Sequence, residues 1–278
     1  MIQSAFAFSL AVLCVKYASQ HIPGLEIVFF RSLIGSALLL ALMIPKKIPL
    51  LGTKKKLMVL RGVMGFIALT LHFVSITRLP LGLAVMLNYT APILAAILAI
   101  VFLKEKPGVL ISMMSLLSFV GVYLLGGNVA GSRFYMMMAL VSAVFAAISY
   151  FLISAVKKRE SPLTIILYFT SISTLGSLFF LPFGFVWPSV IDWIFLIGVG
   201  IGTFYGQLWM TMAFQNAPAS VVGPFFYLTP VLSFFYGLFC FGDKLKPMAV
   251  DGVLLIILSG SIISFSEAKK SKGLPIHE

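Results

Sequence analysis

Residues 80–103 read PLGLAVMLNYTAPILAAILAIVFL and contain no charged side chain. A helix needs about 20 apolar residues to cross the hydrocarbon core of a bilayer, so this stretch is long enough to span a membrane. Breaks at Pro, Gly and charge clusters divide the chain into ten such segments. They lie near residues 2–19, 25–44, 57–77, 80–103, 108–126, 134–155, 163–182, 190–214, 219–241 and 247–266. Continuous apolar runs, without the alternation typical of a membrane barrel, predict an all-α integral membrane protein with ten transmembrane helices.

The composition excludes a water-soluble protein. Of the 278 residues, 60% are hydrophobic and only 10% are charged, and the mean hydropathy is +1.10. The net charge of +12 would favour nucleic-acid binding in a soluble protein. In a membrane protein, basic residues accumulate on cytoplasmic loops, so we expect a lipid bilayer and no nucleic acid as partner. Cys14 and Cys240 lie in apolar runs and predict neither a disulfide framework nor a metal site.

The distribution of Lys and Arg predicts the orientation. With the N-terminus inside, fourteen basic residues are cytoplasmic: Lys46, Lys47, Lys54, Lys55, Lys56, Arg61, Lys104, Lys106, Lys157, Lys158, Arg159, Lys269, Lys270 and Lys272. Four are external: Arg78, Arg133, Lys244 and Lys246. The positive-inside rule then places both termini in the cytoplasm. The start of the chain lacks a basic region and a cleavage site, so 2–19 is interpreted as a retained span. We expect a multi-pass protein of the bacterial inner membrane.

The two halves of the sequence echo each other. Six residues are followed 138 positions later by a residue of the same type. The first set is Gly62, Phe66, Pro80, Tyr89, Pro92 and Lys106, and the second set is Gly200, Phe204, Pro218, Tyr227, Pro230 and Lys244. A duplicated unit with an odd number of spans must insert its second copy upside down. We therefore predict two inverted five-helix repeats, residues 1–126 and 134–266, followed by a cytoplasmic tail, residues 267–278. A duplicated chain can form the inverted assembly alone, so the sequence is compatible with two oligomeric states, a monomer and a homodimer.

Several linked motifs resemble a known family. The motifs are Pro23-x-x-Glu26 leading to Phe29-Phe30-Arg31, then Leu79-Pro80, Asn88-Tyr89-Thr90-Ala91-Pro92 and Leu103-Lys104-Glu105-Lys106. Together they resemble the EamA domain of the drug/metabolite transporter superfamily. The resemblance implies a ten-helix transporter built from two inverted repeats. It implies no single substrate, because this family carries amino acids, nucleotide-like metabolites, organic anions and drugs. The second half departs from the pattern, with Thr164, Ile165 and Thr170 near where the first half has Leu25, Glu26 and Arg31.

Ionisable residues inside spans are costly and usually functional. Lys16, Glu26, Arg31 and His72 are such residues, and the basic ones would suit an anionic or zwitterionic ligand. Other interpretations remain open for each residue. Lys16 and Arg31 can extend to the headgroups, Glu26 can lie at the water boundary, and His72 can be an interhelical hydrogen-bond donor.

Matching prolines in the two halves predict a central site. Span four has Asn88, Tyr89 and Thr90 before Pro92, and span nine has Tyr227 before Pro230. Paired helix interruptions point to a site at the midplane of a transporter, although kinks that serve packing alone are the alternative. Gln207 and Trp209, deep in span eight, are further ligand candidates.

These observations predict a secondary transporter of a small polar metabolite, an organic anion or a zwitterion such as an amino acid or a nucleoside-like compound. Transport would occur by alternating access, with protons as one candidate coupling ion. No nucleotide-binding motif is present, so no cofactor is expected.

An exporter of drugs or toxic cations is the alternative. An intramembrane enzyme acting on lipid-linked substrates and a channel are alternatives of other classes. The enzyme is disfavoured because neither His-Glu-x-x-His nor Gly-x-Ser-x-Gly occurs. The channel would need a polar stripe along a whole span.

Overall fold

The computed structural model describes residues 1–103, 109–126, 133–156, 160–217 and 219–242, together with isolated positions between 248 and 262. Within these residues the chain is helical, with segments α1 (Ile2–Ala18), α2 (Gly24–Met43), α3 (Lys55–Arg78), α4 (Leu81–Asn88), α5 (Ala91–Leu103), α6 (Val109–Gly126), α7 (Arg133–Val156), α8 (Pro162–Leu178), α9 (Val190–Asn216), α10 (Ala219–Val222) and α11 (Leu228–Phe241). Short 3-10 turns cover Leu181–Phe183 and Gly223–Tyr227.

The helices confirm the predicted all-α membrane fold. Five described stretches are long and apolar enough to cross a bilayer: Gly24–Met43, Lys55–Arg78, Arg133–Val156, Pro162–Phe183 and Val190–Asn216. Helix α8 ends earlier than the sequence predicted, at Leu178, and Pro182 lies in the 3-10 turn that follows. Lys104, Lys106, Lys157, Lys158, Arg159, Pro218, Lys244, Lys246 and the tail 267–278 lie outside the described residues, as does most of the tenth span.

Spans four and nine are each divided into two helical parts. In span four, α4 ends at Asn88 and α5 begins at Ala91. In span nine, the 3-10 turn Gly223–Tyr227 separates α10 from α11. Pro92 and Pro230 lie in the first turn of α5 and α11, where the missing proline N–H has no intrahelical acceptor in any case. Both prolines therefore begin a helix after an interruption instead of bending a continuous helix.

Helix packing follows the sequence repeat. Helix α3 of the first half packs against α7 and α8 of the second half. In the matching arrangement, α9 of the second half packs against α1 and α2 of the first half. Helices α2 and α8 pack against each other and join the two halves. One contact repeats at residue level. A Cβ on Gly62 would lie 2.5 Å from Cδ1 of Ile172, and a Cβ on Gly200 would lie 2.5 Å from Cγ2 of Ile34. Ile34 and Ile172 are 138 positions apart in the sequence, and so are Gly62 and Gly200.

The small residues of α9 allow a close approach to α1. A Cβ on Gly206 would lie 2.8 Å from the Phe8 ring, and one on Gly202 would lie 3.1 Å from the Ala7 carbonyl oxygen. The hydroxyl of Ser4 donates a hydrogen bond of 2.8 Å to the Gly206 carbonyl. Glycine at these positions brings the backbones together, as small residues do in membrane helix pairs.

Two carboxylates join connecting segments at opposite ends of the α2–α8 pair. Before α8, the Glu160 carboxylate accepts hydrogen bonds from the N–H groups of Thr53 (2.7 Å) and Lys54 (2.8 Å), in the segment that follows α2. Near the start of α2, Glu26 accepts one from the N–H of Val186 (3.0 Å), in the segment that follows α8. The α2–α3 and α7–α8 connections therefore lie at one end of the bundle and the α8–α9 connection at the other.

The Glu160 carboxyl lies outside the spanning helices and is held in its charged form. Burial raises its pKa, but hydrogen bonds from the Thr53 hydroxyl and from the N–H groups of Lys54 and Thr53 lower it, so the pKa lies below its ordinary value. The backbone carbonyl of Glu160 also accepts a hydrogen bond of 2.8 Å from Nε2 of Gln215 in α9. Glu160 thus ties the α2–α3 segment to α9 at this end of the bundle.

Candidate central binding cavity

A cavity of about 90 Å³ lies between the two halves of the bundle. Helices α1, α2, α3, α7, α8 and α9 enclose it, together with the end of α4. Its polar lining residues are Arg31, Arg61, His72, Asn88, Tyr89, Ser149, Tyr150, Thr203 and Gln207. Among the described residues that line the cavity, none is Asp or Glu. The cavity therefore has a basic and weakly polar wall.

Arg61 is a charged lining residue of the cavity that was not among the predicted binding residues. The positive-inside count assigned it to a cytoplasmic loop, but the structure places it in the second turn of α3, only 2% exposed. The loop assignment was wrong because α3 begins at Lys55, several residues before Arg61. The predicted span 57–77 already included Arg61, so the rule for ionisable residues inside spans could have identified it.

The guanidinium of Arg61 is held by two contacts. Its Nη2 donates a hydrogen bond of 3.0 Å to Oε1 of Gln207 in α9. Its central carbon lies 4.2 Å from the ring centroid of Phe169 in α8. A cation over an aromatic face is stabilised by the ring quadrupole, so both contacts fix the orientation of the charge.

Arg31, which the sequence predicted as a binding residue, lies on the same aromatic ring. It is 2% exposed, and its central carbon lies 5.2 Å from the Phe169 centroid. Its Nε donates a hydrogen bond of 3.1 Å to the Thr203 hydroxyl in α9. That hydroxyl in turn donates to the Val199 carbonyl at 2.6 Å. Two buried cations therefore share one phenylalanine and are both anchored to α9.

Both guanidinium groups keep donors without a partner. Within the part of the chain that the structure describes, Nη1 of Arg31 and both Nε and Nη1 of Arg61 make no hydrogen bond. A buried donor that is left unsatisfied is costly, and more so when it is charged. Such groups at a cavity wall are well placed to receive the oxygens of an anionic ligand.

The wall also includes neutral polar and aromatic groups. Asn88 donates from Nδ2 to the Ser142 hydroxyl at 2.7 Å, and that hydroxyl donates to the Ala68 carbonyl at 2.7 Å. The Tyr150 ring stacks against Phe214 and Phe226, with centroid distances of 5.5 and 5.3 Å. These contacts fix the side chains of Asn88 and Tyr150 at the cavity wall.

The structure brings together five of the predicted binding residues and leaves four outside the lining. Arg31, His72, Asn88, Tyr89 and Gln207 line the cavity. Lys16, Thr90, Trp209 and Tyr227 are not among its lining residues.

All four have contacts elsewhere, and Tyr227 is buried in the hydrophobic core. Lys16 donates from Nζ to the carbonyls of Ile76 and Leu79, at 3.0 Å each. The Thr90 hydroxyl bonds the Leu87 carbonyl within its own segment, at 3.0 Å. Trp209 packs beside Tyr205, with ring centroids 5.4 Å apart.

An all-α multi-pass membrane protein with a buried polar cavity between two similar halves has the architecture of a small-molecule transporter. The chain belongs to the EamA-like transporter family, whose model matches residues 1–127 and 133–265. This confirms the family resemblance found in the sequence. The protein is a transporter of small molecules and not an enzyme.

Relatives of known name cover almost the whole chain. It is 29% identical over 270 residues to the pseudopaline exporter CntI of Pseudomonas aeruginosa, covering 96% of this chain and 94% of the relative. It is 24% identical over 260 residues to the S-adenosylmethionine uptake transporter of Rickettsia prowazekii, covering 91% and 87%. A solved crystal structure aligns with a TM-score of 0.77 over 98% of this chain and 99% of the other, at 16% identity, which shows a shared fold.

Proposed function

We propose that this protein is a secondary transporter that binds a small organic anion or zwitterion in the central cavity, with Arg31 and Arg61 as the anion-binding groups. Residues 1–126 and 134–266 form the two halves that enclose the ligand, in the bacterial inner membrane with both termini in the cytoplasm. The observation that carries the proposal is the pair of buried arginines in a wall whose described residues include no acid.

The electrostatic argument rests on the low dielectric of the bundle. A buried cation without a counter-charge is costly, so it persists where water, a ligand or a partner compensates it. An anionic ligand would supply both the charge and the acceptors that the free guanidinium donors need. A cationic drug would meet like charge at the same place, which is the arrangement that selects against such a substrate.

The relatives transport in different directions. One relative is named as an exporter and another as an uptake transporter. Their cargoes, pseudopaline and S-adenosylmethionine, are both small molecules, and both relatives support a small-molecule ligand for this chain as well.

Alternating access would open the cavity to each side in turn. Helices α2 and α8 pack against each other where the halves meet, and the carboxylates of Glu160 and Glu26 accept hydrogen bonds that hold the connections at the two ends of this pair. We propose that one set of bonds breaks when the corresponding end opens. Protons are the candidate coupling ion.

Transport by the purified protein in liposomes tests this function. The panel contains organic acids, amino acids, nucleosides and quaternary ammonium cations, each tested with and without a pH gradient. Uptake of an anion or zwitterion by the parent, lost in Arg61→Gln and retained in Arg78→Gln, is the expected result. Arg78 is the matched control because it lies exposed at the end of the same helix. Transport of permanent cations, with no transport of anions or zwitterions, would contradict the proposal.

A further inference from the structure

We infer that the substrate carries two anionic groups, one bound by Arg31 and the other by Arg61. This inference rests on the proposed function and names the substrate class more narrowly. It follows from three features of the cavity: the separate anchoring of the two arginines, their unused donors, and the charge balance of the wall.

The two guanidinium groups are anchored at different heights on α9. Arg31 bonds to Thr203 and Arg61 bonds to Gln207, four residues further along the same helix. A rise of 1.5 Å per residue separates these two anchors by about 6 Å along the helix axis. The two arginines therefore have separate anchors on α9, while both guanidinium groups contact the Phe169 ring.

Phe169 keeps this arrangement rigid. Its ring contacts both guanidinium groups, at 5.2 Å for Arg31 and 4.2 Å for Arg61, so each charge is fixed by one hydrogen bond and one cation–π contact. A Cβ on Gly65 would lie 2.9 Å from the same ring, which shows that α3 packs closely against it. Two charges held in this way form a preorganised pair of anion subsites.

Each arginine has at least one free donor for its own anion. The hydrogen bonds to α9 use Nε of Arg31 and Nη2 of Arg61. Nη1 of Arg31, and Nε and Nη1 of Arg61, have no partner among the described residues. Guanidinium donors bind carboxylate oxygens strongly when both groups are charged. One carboxylate at each arginine would use the donors that the protein leaves unpaired.

Charge balance favours two anionic groups over one. The described lining residues include two arginines and no acid, so a monoanion would leave one buried positive charge uncompensated. A dianion would neutralise both. Both guanidinium carbons lie close to the Phe169 centroid, at 5.2 and 4.2 Å, so they are within about 9 Å of each other and one small dianion can contact both. We therefore assign the substrate to the class of small dicarboxylates and related dianions.

The test compares matched ligands on the purified wild-type protein. Succinate, glutarate and adipate are titrated beside their monoamides, which have the same length and one charge fewer, by calorimetry and thermal shift at two salt concentrations. We expect the best dicarboxylate to bind at least about tenfold more tightly than its monoamide. We also expect its affinity to fall more steeply with salt. Equal affinities of dicarboxylates and monoamides would overturn the inference.

Variants assign the two charges to the two arginines. In Arg31→Gln and Arg61→Gln, the dicarboxylate should lose its advantage over the monoamide, while Arg78→Gln should keep it. Thr203→Val retains both charges but removes the anchor of Arg31, and it should reduce the advantage without abolishing it. Thr203→Val and the wild-type series keep the test decisive if an arginine variant fails to fold.

The outcomes separate the two proposals. If monoanions and dianions bind equally and both need the arginines, the dianion inference fails and the anion transporter stands. If neither dicarboxylates nor monoamides bind, and the panel above shows transport of cations alone, both proposals fail.

Discussion

Nη2 of Arg61 donates a hydrogen bond of 3.0 Å to Oε1 of Gln207, and this bond joins α3 to α9 beside the central cavity. The amide of Gln207 is neutral, so it orients the guanidinium without cancelling its charge. An acid at position 207 would satisfy the same donor and also neutralise it. The contact with Gln207 therefore leaves the positive charge of Arg61 without a counter-charge.

Substitutions at Gln207 should separate stability from binding. Gln207→Leu removes the acceptor and leaves a buried charged donor unpaired, which should cost about 1–3 kcal/mol in the free energy of unfolding. Gln207→Glu should instead raise the melting temperature, because it pairs Arg61 with a carboxylate, and should abolish anion binding. Thermal denaturation and ligand titration of both variants measure these effects. Unchanged anion affinity in Gln207→Glu would show that Arg61 does not bind the ligand.

The repeated glycine contact predicts a compensating pair of substitutions. In Gly200→Ala the new Cβ would lie 2.5 Å from Cγ2 and 2.8 Å from Cβ of Ile34, atoms close to the backbone that cannot easily move. Overpacking of this kind costs about 1–3 kcal/mol. The melting temperature of Gly200→Ala should therefore fall, and the double variant Gly200→Ala with Ile34→Ala should recover part of the loss.

The control for this contact is Gly82→Ala. A Cβ on Gly82 would lie 3.9 Å from its nearest neighbour, on Phe234, so the melting temperature should change little. If Gly82→Ala and Gly200→Ala destabilised the protein equally, the loss would reflect helix position and not contact with Ile34.

The sequence predicted the helices better than it predicted the cavity, for physical reasons. Apolar runs bounded by Pro, Gly and charges follow directly from the thickness of the bilayer, so α2 and α3 begin and end within about two residues of the predicted spans. The wall of the cavity combines positions that only tertiary packing brings together, such as Arg31, Phe169 and Thr203. Arg61 follows a run of lysines, and a count of loop charges cannot separate it from them.

Glu160 should give the protein an acid-sensitive component of stability. Its pKa in the folded state lies below the ordinary value, so its contribution is complete above the ordinary glutamate pKa of about 4.3 and is lost as the pH falls through the folded value. Above about pH 5, Glu160→Gln should melt below the wild type, and the difference should narrow at lower pH. Melting curves of both proteins across this range measure the effect.

The control for Glu160→Gln is Lys47→Gln, which removes an exposed charge at the same end of the bundle. Its melting temperature should follow that of the wild type at every pH. A difference between Glu160→Gln and the wild type that stays constant to low pH would show that the carboxylate charge contributes nothing.

Labelling of single cysteines should reveal the orientation. The α2–α3 and α7–α8 connections lie at one end of the bundle, and the segment that contains Val186 lies at the other. Lys46 and Lys47 belong to the first end, which the positive-inside rule places in the cytoplasm. Trp187, next to Val186, is 79% exposed and should face the external side.

For the labelling experiment, Cys14 and Cys240 are first replaced by alanine, because both are free thiols. In intact cells, a membrane-impermeant maleimide should then label Trp187→Cys but not Lys47→Cys, and permeabilised cells should show both. The reverse pattern would place the termini outside, and labelling of both positions in intact cells would contradict the inverted arrangement of the two repeats.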